Sequence, residues 1–166
     1  MLESFALSDR GCVRANNEDF WLIRPEIGLY LLADGMGGAK AGECASKLAV
    51  ETVAHSVDLA ATRDSQALLR AVEEANQRVL EASQSDPELE GMGTTLVAAL
   101  EEENRLDIAS VGDSRAYLLD EDGFRAITDD QTWVNEVGRP WGWTKTASVP
   151  IRCAMCSPWR SARARR

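Results

Sequence analysis

Acidic side chains stand at the ends of several short apolar runs of the sequence. Asp34 closes the run "GLYLLAD", Glu18 and Asp19 precede "FWLI", and Asp113 follows "DIASVG". If these runs are strands of one sheet, their carboxylates gather at one edge, where they raise each other's pKa unless a cation neutralises them. Carboxylate oxygens are the ligands that Mg²⁺ and Mn²⁺ prefer. The pattern therefore predicts a divalent-cation site at that edge.

Four glycines follow Asp34 within the stretch "DGMGGAKAG". Glycine at position 35 would leave its backbone carbonyl free to approach an ion closely, because it carries no Cβ. The alternative is an ordinary turn before a helix, since aspartate and glycine dominate turns. A nucleotide-binding loop is disfavoured, because neither G-x-x-x-x-G-K-[ST] nor G-x-G-x-x-G is present.

A guanidinium lies close to these acids in the sequence. Arg14 precedes Glu18 by four residues, and its planar fork matches the geometry of a phosphate. The alternative is a solvated surface arginine. Since no nucleophile is evident, the combination favours hydrolysis by metal-bound water. The single histidine, His55, falls in the middle of a predicted helix and is interpreted as a surface or packing residue.

The elements that position these residues follow from hydrophobic periodicity. Alternating or continuous apolar runs predict strands at 2–9, 19–25, 28–34, 94–100, 105–112, 115–120 and 123–128. Two stretches between them have helical spacing. The apolar stripes of the two helices contain Ala45, Leu48, Ala49, Val53 and Val57, and Leu68, Leu69, Val72, Ala75, Val79 and Leu80. This order predicts an α+β layered domain.

The composition excludes several classes of protein. The 166 residues, 45% of them hydrophobic, suffice for one domain with a core. A net charge of −9 argues against a nucleic-acid binder, and no apolar run is long enough to span a membrane. Four irregularly spaced cysteines and no evident signal peptide predict reduced thiols and a cytoplasmic protein.

The last 28 residues differ from the rest in charge and composition. The range 139–166 contains seven basic residues and no acid, so 1–138 carries −16 (−9 less +7). This contrast predicts a domain over 1–138 and a basic, Trp/Arg-rich tail over 139–166 that is unstructured or translated out of frame. Two alternatives are a zinc or redox site at Cys153 and Cys156 and a tail that binds anionic partners.

Five segments, in order, resemble the protein phosphatase 2C (PPM-type) family of metal-dependent serine/threonine phosphatases. They are "SDRGCVRANNEDF", "LLADGMGGAKAGECAS", "GMGTTLVAAL", "ASVGDSRAYLL" and "AITDDQTWVNEVG". Met36 after Asp-Gly is typical of the bacterial branch, whereas eukaryotic relatives usually carry histidine there. The resemblance implies the N-terminal portion of a layered α-β-β-α sandwich with a centre of two Mn²⁺ or Mg²⁺ ions.

The resemblance also implies roles for individual residues. Asp34 matches the bridging metal ligand and Gly35 its carbonyl partner, while Glu18 matches an acid that holds metal through water, supported by Asp19. Arg14 matches the phosphate-binding arginine, so Arg14 and Asp34 are the expected catalytic residues.

Three further expectations follow from the family. Asp113 matches a ligand of a third, weaker ion, and Thr94 and Thr95 are interpreted as structural. The implied reaction is hydrolysis of phosphoserine and phosphothreonine through metal-activated water. The implied partners are phosphorylated proteins, among them serine/threonine kinases and their substrates.

The sequence departs from the family pattern near its end. Gln131 and Thr132 stand where many relatives have His-Ser, and no acid follows Glu136, so two later metal-binding aspartates of the family have no counterpart. We therefore expect weak metal binding and poor turnover. The alternatives are an inactive remnant, a phosphoprotein-binding regulatory module, or a metal-binding fragment that pairs with another chain.

Overall fold

The computed structural model describes residues 2–102, 105–131 and 145–150. It contains two α-helices, two short 3-10 turns and eight strands. The helices are α1 (Ala39–Leu59) and α2 (Ser65–Ser85), and the 3-10 turns are Pro25–Ile27 and Pro87–Leu89. The strands are β1 (Asp19–Arg24), β2 (Leu29–Met36), β3 (Gly93–Thr94), β4 (Leu96–Glu102), β5 (Arg105–Val111), β6 (Tyr117–Asp120), β7 (Gly123–Ala126) and β8 (Lys145–Pro150).

The main sheet is antiparallel, with the order β1-β2-β4-β5-β8, and β3 pairs with the end of β2. Both helices lie on one face of this sheet. Side chains alternate along β2, so that Leu29, Leu31 and Ala33 are buried beneath the helices while Leu32 and Asp34 are exposed on the other side. Since helices and an antiparallel sheet occupy separate layers, the predicted α+β class is confirmed.

The apolar stripes predicted for the helices form the core. Ala45, Ala49, Val53 and Val57 of α1 are buried against the sheet and α2, and Leu48 packs at the margin. In α2 the buried residues include Leu68, Val72, Ala75 and Val79. Leu80 differs from the prediction, because its side chain is 48% exposed.

Local signals fix the ends of α2. The Asp64 side chain accepts a hydrogen bond from the backbone N–H of Ala67 at 2.8 Å, which satisfies one of the free donors of the first turn. At the other end the chain reaches Pro87, whose ring cannot continue a helix. Neither helix is apolar enough over sufficient length to cross a membrane in the part of the chain described.

The N-terminal segment differs from the prediction. Residues 2–9 were expected to form a strand, but they adopt no regular secondary structure, and Phe5 and Leu7 are 86% and 92% exposed. No described strand lies alongside to supply the missing hydrogen bonds. Polar contacts shape the end of the segment instead: the Asp9 carboxylate accepts the backbone N–H of Gly11 at 2.7 Å.

The basic tail also differs from the prediction in one stretch. Lys145–Pro150 forms β8 and pairs antiparallel with β5, although no packed element was expected there. The stretch "KTASVP" contains the β-branched residues Thr146 and Val149, and β5 offers it a row of backbone donors and acceptors. The rest of the tail, with Cys153 and Cys156, lies outside the described residues.

A hairpin stands apart from the main sheet. Strands β6 and β7 pair only with each other in the described part of the chain. The rings of Tyr117 and Phe124 stack with their centroids 4.9 Å apart, and both remain largely exposed. The two strands match runs predicted from the sequence, but each is shorter at its first or last residues.

Candidate functional site

The pairing of β1 with β2 brings the predicted acids together. Asp19 lies directly opposite Asp34 in the antiparallel register. The backbone N–H of Gly35 donates to the carbonyl of Glu18 at 3.1 Å, so Glu18 lies beside the same strand end. The side chains of Asp19 and Asp34 share the sheet face opposite the helices, because they are cross-strand partners.

Electrostatics places Asp113 and Arg14 near this pair. The pKa of Asp34 is raised, first by loss of hydration and then by the charge of Asp19 and a hydrogen bond with it. The charge of Asp113 raises it further, whereas the guanidinium of Arg14 opposes the shift. Three carboxyls that are far apart in sequence therefore lie within electrostatic range of one another and of one arginine.

Glycine is required where α1 approaches the strand end. A Cβ added at Gly35 would lie 1.9 Å from the carbonyl oxygen of Gly42 in α1, and a Cβ added at Gly42 would lie 2.2 Å from a carboxylate oxygen of Glu18. The buried hydroxyl of Ser46 donates to the carbonyl of Glu18 at 2.7 Å. The absence of a Cβ at Gly35 thus serves the packing of helix against strand, a reason that the sequence alone did not indicate.

The backbone of Asp34 is held by Thr94 of β3 and by Thr95, which links β3 to β4. Its N–H donates to the Thr95 hydroxyl at 3.0 Å, and its carbonyl accepts the N–H of Thr95 at 2.9 Å. Its carbonyl also accepts the Thr94 hydroxyl at 3.1 Å. The structural interpretation of these threonines agrees with the contacts, and their particular task is to fix the strand end that carries Asp34.

The loop that carries Asp113 is held on both sides. The hydroxyl of Ser114 hydrogen-bonds that of Thr95 at 2.7 Å. The side-chain amide oxygen of Gln131 accepts the N–H of Gly112 at 3.2 Å, and the Gln131 N–H donates to the Gly112 carbonyl at 2.9 Å. Gln131, which stands where many relatives have histidine, therefore holds this loop in place through Gly112.

A closed set of hydrogen bonds surrounds the Asp19 carboxylate. The Ser8 hydroxyl donates to Oδ2 of Asp19 at 2.5 Å and accepts from Nδ2 of Asn17 at 2.7 Å. Oδ1 of Asn17 accepts the backbone N–H of Asp19 at 3.1 Å. Sequence reasoning missed Ser8, Asn17, Ser46 and Ser114 as site residues; the available signal was that all four fall inside segments that carry the resemblance.

An open cavity of about 380 Å³ adjoins the acids. Arg14 and Glu18 line it on one side, and the glycine-rich turn that follows Asp34 lines it on the other. The cavity is large enough to admit a phosphate group, and its wall offers a cation, a carboxylate and backbone groups.

The donor set at the sheet edge fits a hard divalent cation in its chemistry. All the side-chain donors are carboxylate oxygens. The pKa of Asp34 is raised first by burial and then by the charge of Asp19, and a cation would relieve that second, repulsive contribution. Within the described ranges, no group of three His, Cys, Asp or Glu side chains is arranged closely enough to hold a metal ion. The structure brings Arg14, Glu18, Asp19, Asp34 and Asp113 to one edge, with Gly35 between them, while their metal-binding and catalytic roles stay predictions.

The comparison with relatives begins with the family model. The model for protein phosphatase 2C matches residues 13–138. The serine/threonine protein phosphatase PstP of Mycobacterium tuberculosis is 46% identical over 135 residues, which cover 81% of this chain and 26% of PstP. The serine/threonine phosphatase stp of Listeria monocytogenes is 37% identical over 145 residues, which cover 80% of this chain and 56% of stp. The chain thus spans about a quarter to just over half of the length of these relatives.

Solved structures agree with these matches. The catalytic domain of PstP in complex with two manganese ions aligns with a TM-score of 0.75 and 38% identity, covering 88% of this chain and 71% of that domain. PppA of Pseudomonas aeruginosa aligns with a TM-score of 0.73 and 30% identity, covering 88% and 70%. The resemblance seen in the five sequence segments is confirmed, and the chain belongs to the protein phosphatase 2C family, with bacterial PPM-type phosphatases as its relatives.

Proposed function

We propose that this chain is the part of a metal-dependent protein serine/threonine phosphatase that holds phosphate and most of one metal centre. The observation that carries the proposal is the register of β1 and β2, which sets Asp19 opposite Asp34, with Asp113 and Arg14 within electrostatic range of Asp34. An acidic cluster alone would repel a phosphate ester. A bound cation would neutralise the acids, so that a phosphate could bind beside them on the arginine.

The ions proposed are two Mn²⁺ or Mg²⁺. Asp34 would bridge them, the Gly35 carbonyl and Glu18 would complete one of them, and Asp19 would support Glu18. Asp113 would hold a third, weaker ion. Manganese in the related PstP domain supports the assignment of a divalent metal.

The chemistry assigned to the chain's own residues is binding and orientation. Arg14 lines the open cavity, where its guanidinium would hold two phosphate oxygens and offset the charge of the ester. Asp34, held through its backbone by Thr95, precedes Gly35, which lines that cavity. When bound, the divalent cations would supply an activated water and stabilise the developing charge on the phosphate.

The proposal extends to boundaries, partners and location. We assign the phosphatase part to 1–138, which is supported by a family match that ends at Gly138, and a basic tail to 139–166, of which Lys145–Pro150 adds a strand to the main sheet. The substrates would be phosphorylated proteins, among them serine/threonine kinases and their targets. A cytoplasmic location is supported by the free thiols of Cys12 and Cys44 in the described part of the chain.

The test is hydrolysis of an aryl phosphate and of a phosphothreonine peptide with Mn²⁺ present. We expect metal-dependent turnover that Asp34→Asn abolishes, because the amide cannot bridge cations as a carboxylate does. Asp58→Asn is the matched control: Asp58 lies near the end of α1, and its exposed ion pairs with Arg24 and Arg63 contribute little.

The same experiment separates the rival function. Asp34-dependent binding of the phosphopeptide without hydrolysis would assign the chain to the phosphoprotein-binding modules. If the chain neither hydrolyses nor binds the phosphopeptide, the proposed function is wrong.

A further inference from the structure

We propose that Ser8 is a positioning residue of the metal site, acting through the carboxylate of Asp19. The proposal rests on the metal site assigned above and goes beyond it, because it adds a residue from a segment with no regular secondary structure. The hydroxyl of Ser8 lies 2.5 Å from Oδ2 of Asp19, eleven residues away in sequence.

The direction of the hydrogen bond follows from the donors available. A serine hydroxyl has one proton. Nδ2 of Asn17 can only donate, so at 2.7 Å it must place its hydrogen on the Ser8 oxygen. The Ser8 proton is thereby left for Asp19, whose Oδ2 accepts it. Asn17 thus sets the polarity of the Ser8 hydroxyl and keeps it a donor towards the carboxylate.

The backbone N–H of Asp19 completes this set of hydrogen bonds. Oδ1 of Asn17 accepts the N–H of Asp19 at 3.1 Å, so one amide side chain holds both the backbone of Asp19 and the group that orients its carboxylate. Rotation of the Asp19 carboxylate would break the bond to Ser8. The bond to Ser8 thus uses one acceptor site of the carboxylate and leaves the others for a cation.

The orientation of Asp19 matters because Asp34 lies opposite it in the register. Asp19 affects Asp34 through both its charge and a hydrogen bond, so the two carboxyls are close enough that a rotation of one changes the site of the other. Hydrogen bonds to ligating carboxylates commonly change metal affinity by about 10- to 100-fold when they are removed. We assign that role to Ser8.

The same bond explains how the N-terminal segment is held. Phe5 and Leu7 are exposed and contribute no packing that would fix residues 2–9. Ser8 supplies a contact between this segment and the sheet edge. The segment and the acids are therefore coupled through one hydroxyl.

The experiment is a Mn²⁺ titration of the full chain by calorimetry, comparing wild type, Ser8→Ala and Ser8→Thr. Ser8→Ala should weaken Mn²⁺ binding about 10- to 100-fold, and Ser8→Thr should restore it because the hydroxyl returns. Ser4→Ala, in the same segment, is the matched control and should bind as wild type does. The urea midpoint of each metal-free variant is measured alongside, and we expect that of Ser8→Ala to stay close to wild type.

A kinetic measurement separates positioning from a general loss of structure. In Ser8→Ala, the Mn²⁺ concentration at half-maximal rate should rise, whereas the rate at saturating Mn²⁺ should recover. Equal affinity of wild type and Ser8→Ala would overturn this inference alone, as would an equal loss in Ser8→Ala and Ser8→Thr. If the wild-type chain binds no Mn²⁺, the proposed metal site is wrong and this inference fails with it.

Discussion

The two faces of the main sheet are built from the same strands and have opposite characters. On the helix side, Leu29 and Leu100 are fully buried, and Leu31 and Leu96 nearly so. On the other side, Trp21 and Leu32 are each 43% exposed, and Asp19 and Asp34 lie next to them in the register. The alternation of a strand thus lets one element carry a core on one face and a polar site on the other.

This difference predicts which substitutions should change the stability of the fold and which should change only the candidate site. A substitution on the helix side should lower the free energy of unfolding, and metal binding at the candidate site should weaken as a consequence. A change on the open side should leave stability largely intact. A substitution at Gly35, where the two faces meet, should affect both the stability of the fold and the candidate site.

The largest effect is expected for Gly35→Ala. The added Cβ would lie 1.9 Å from a backbone oxygen of α1, which cannot rotate away as a side chain could. The helix must shift, at a cost of about 3 kcal/mol or more in the free energy of unfolding. Urea unfolding measures the loss, and Mn²⁺ titration should show weakened binding. Gly93→Ala is the control, because its added Cβ would meet only the flexible end of the Met36 side chain, at 3.1 Å, and should cost less. Wild-type stability in Gly35→Ala would contradict the close approach of α1.

The next effect compares two leucines three residues apart in β2. Leu29→Ala removes a fully buried side chain and should lower the free energy of unfolding by about 2–5 kcal/mol. Leu32→Ala, on the open face, should lower it by less than about 1 kcal/mol. Chemical denaturation of the two variants measures the difference. Similar losses would mean that the open face is covered in solution.

The smallest effect concerns the helix layer and depends on pH. The hydrogen bond from the N–H of Ala67 lowers the pKa of Asp64 below its usual range. A lowered folded-state pKa contributes stability above the unfolded pKa of about 3.9, and this contribution is lost as the pH falls through the folded value. Asp64→Ala should therefore reduce the urea midpoint at neutral pH, and the reduction should vanish in acid.

Asp64→Asn provides the matched control for that measurement. Asparagine caps a helix about as well as aspartate and does not titrate. Its urea midpoint should change less between neutral pH and acid than that of the wild type. A pH dependence in Asp64→Asn equal to that of the wild type would assign the effect to other groups.

The sequence sufficed for features that depend on periodicity. The apolar run "GLYLLAD" predicted a strand, and the stripe through Ala45, Ala49 and Val53 predicted the apolar face of a helix; the structure has both. The meeting of Asp19 with Asp34 followed from placing acids at the ends of strands that share a sheet.

The sequence did not suffice for contacts set by tertiary placement. Ser8, Ser114 and Thr95 each carry a hydroxyl that could bond many partners, and only the folded chain selects one. The alternation at residues 2–9 resembles a strand, but a strand also needs a neighbour, and no local signal supplies one. For the same reason β8 was missed, since its pairing depends on the edge that β5 presents.

The short turn between β1 and β2 sets the register of the two strands, and so the position of Asp19 relative to Asp34. Gly28 ends the turn at a φ of 68°, with the backbone of Glu101 packed closely against it, so the turn has little freedom to lengthen. Five residue pairs lie between it and the Asp19–Asp34 pair, about 16–17 Å along the strands. A slip of one residue at the turn would nevertheless exchange the faces of every side chain in β1, sending Trp21 towards the helices and Asp19 away from Asp34. In this hairpin the length of a distant loop therefore decides whether the proposed metal site can form.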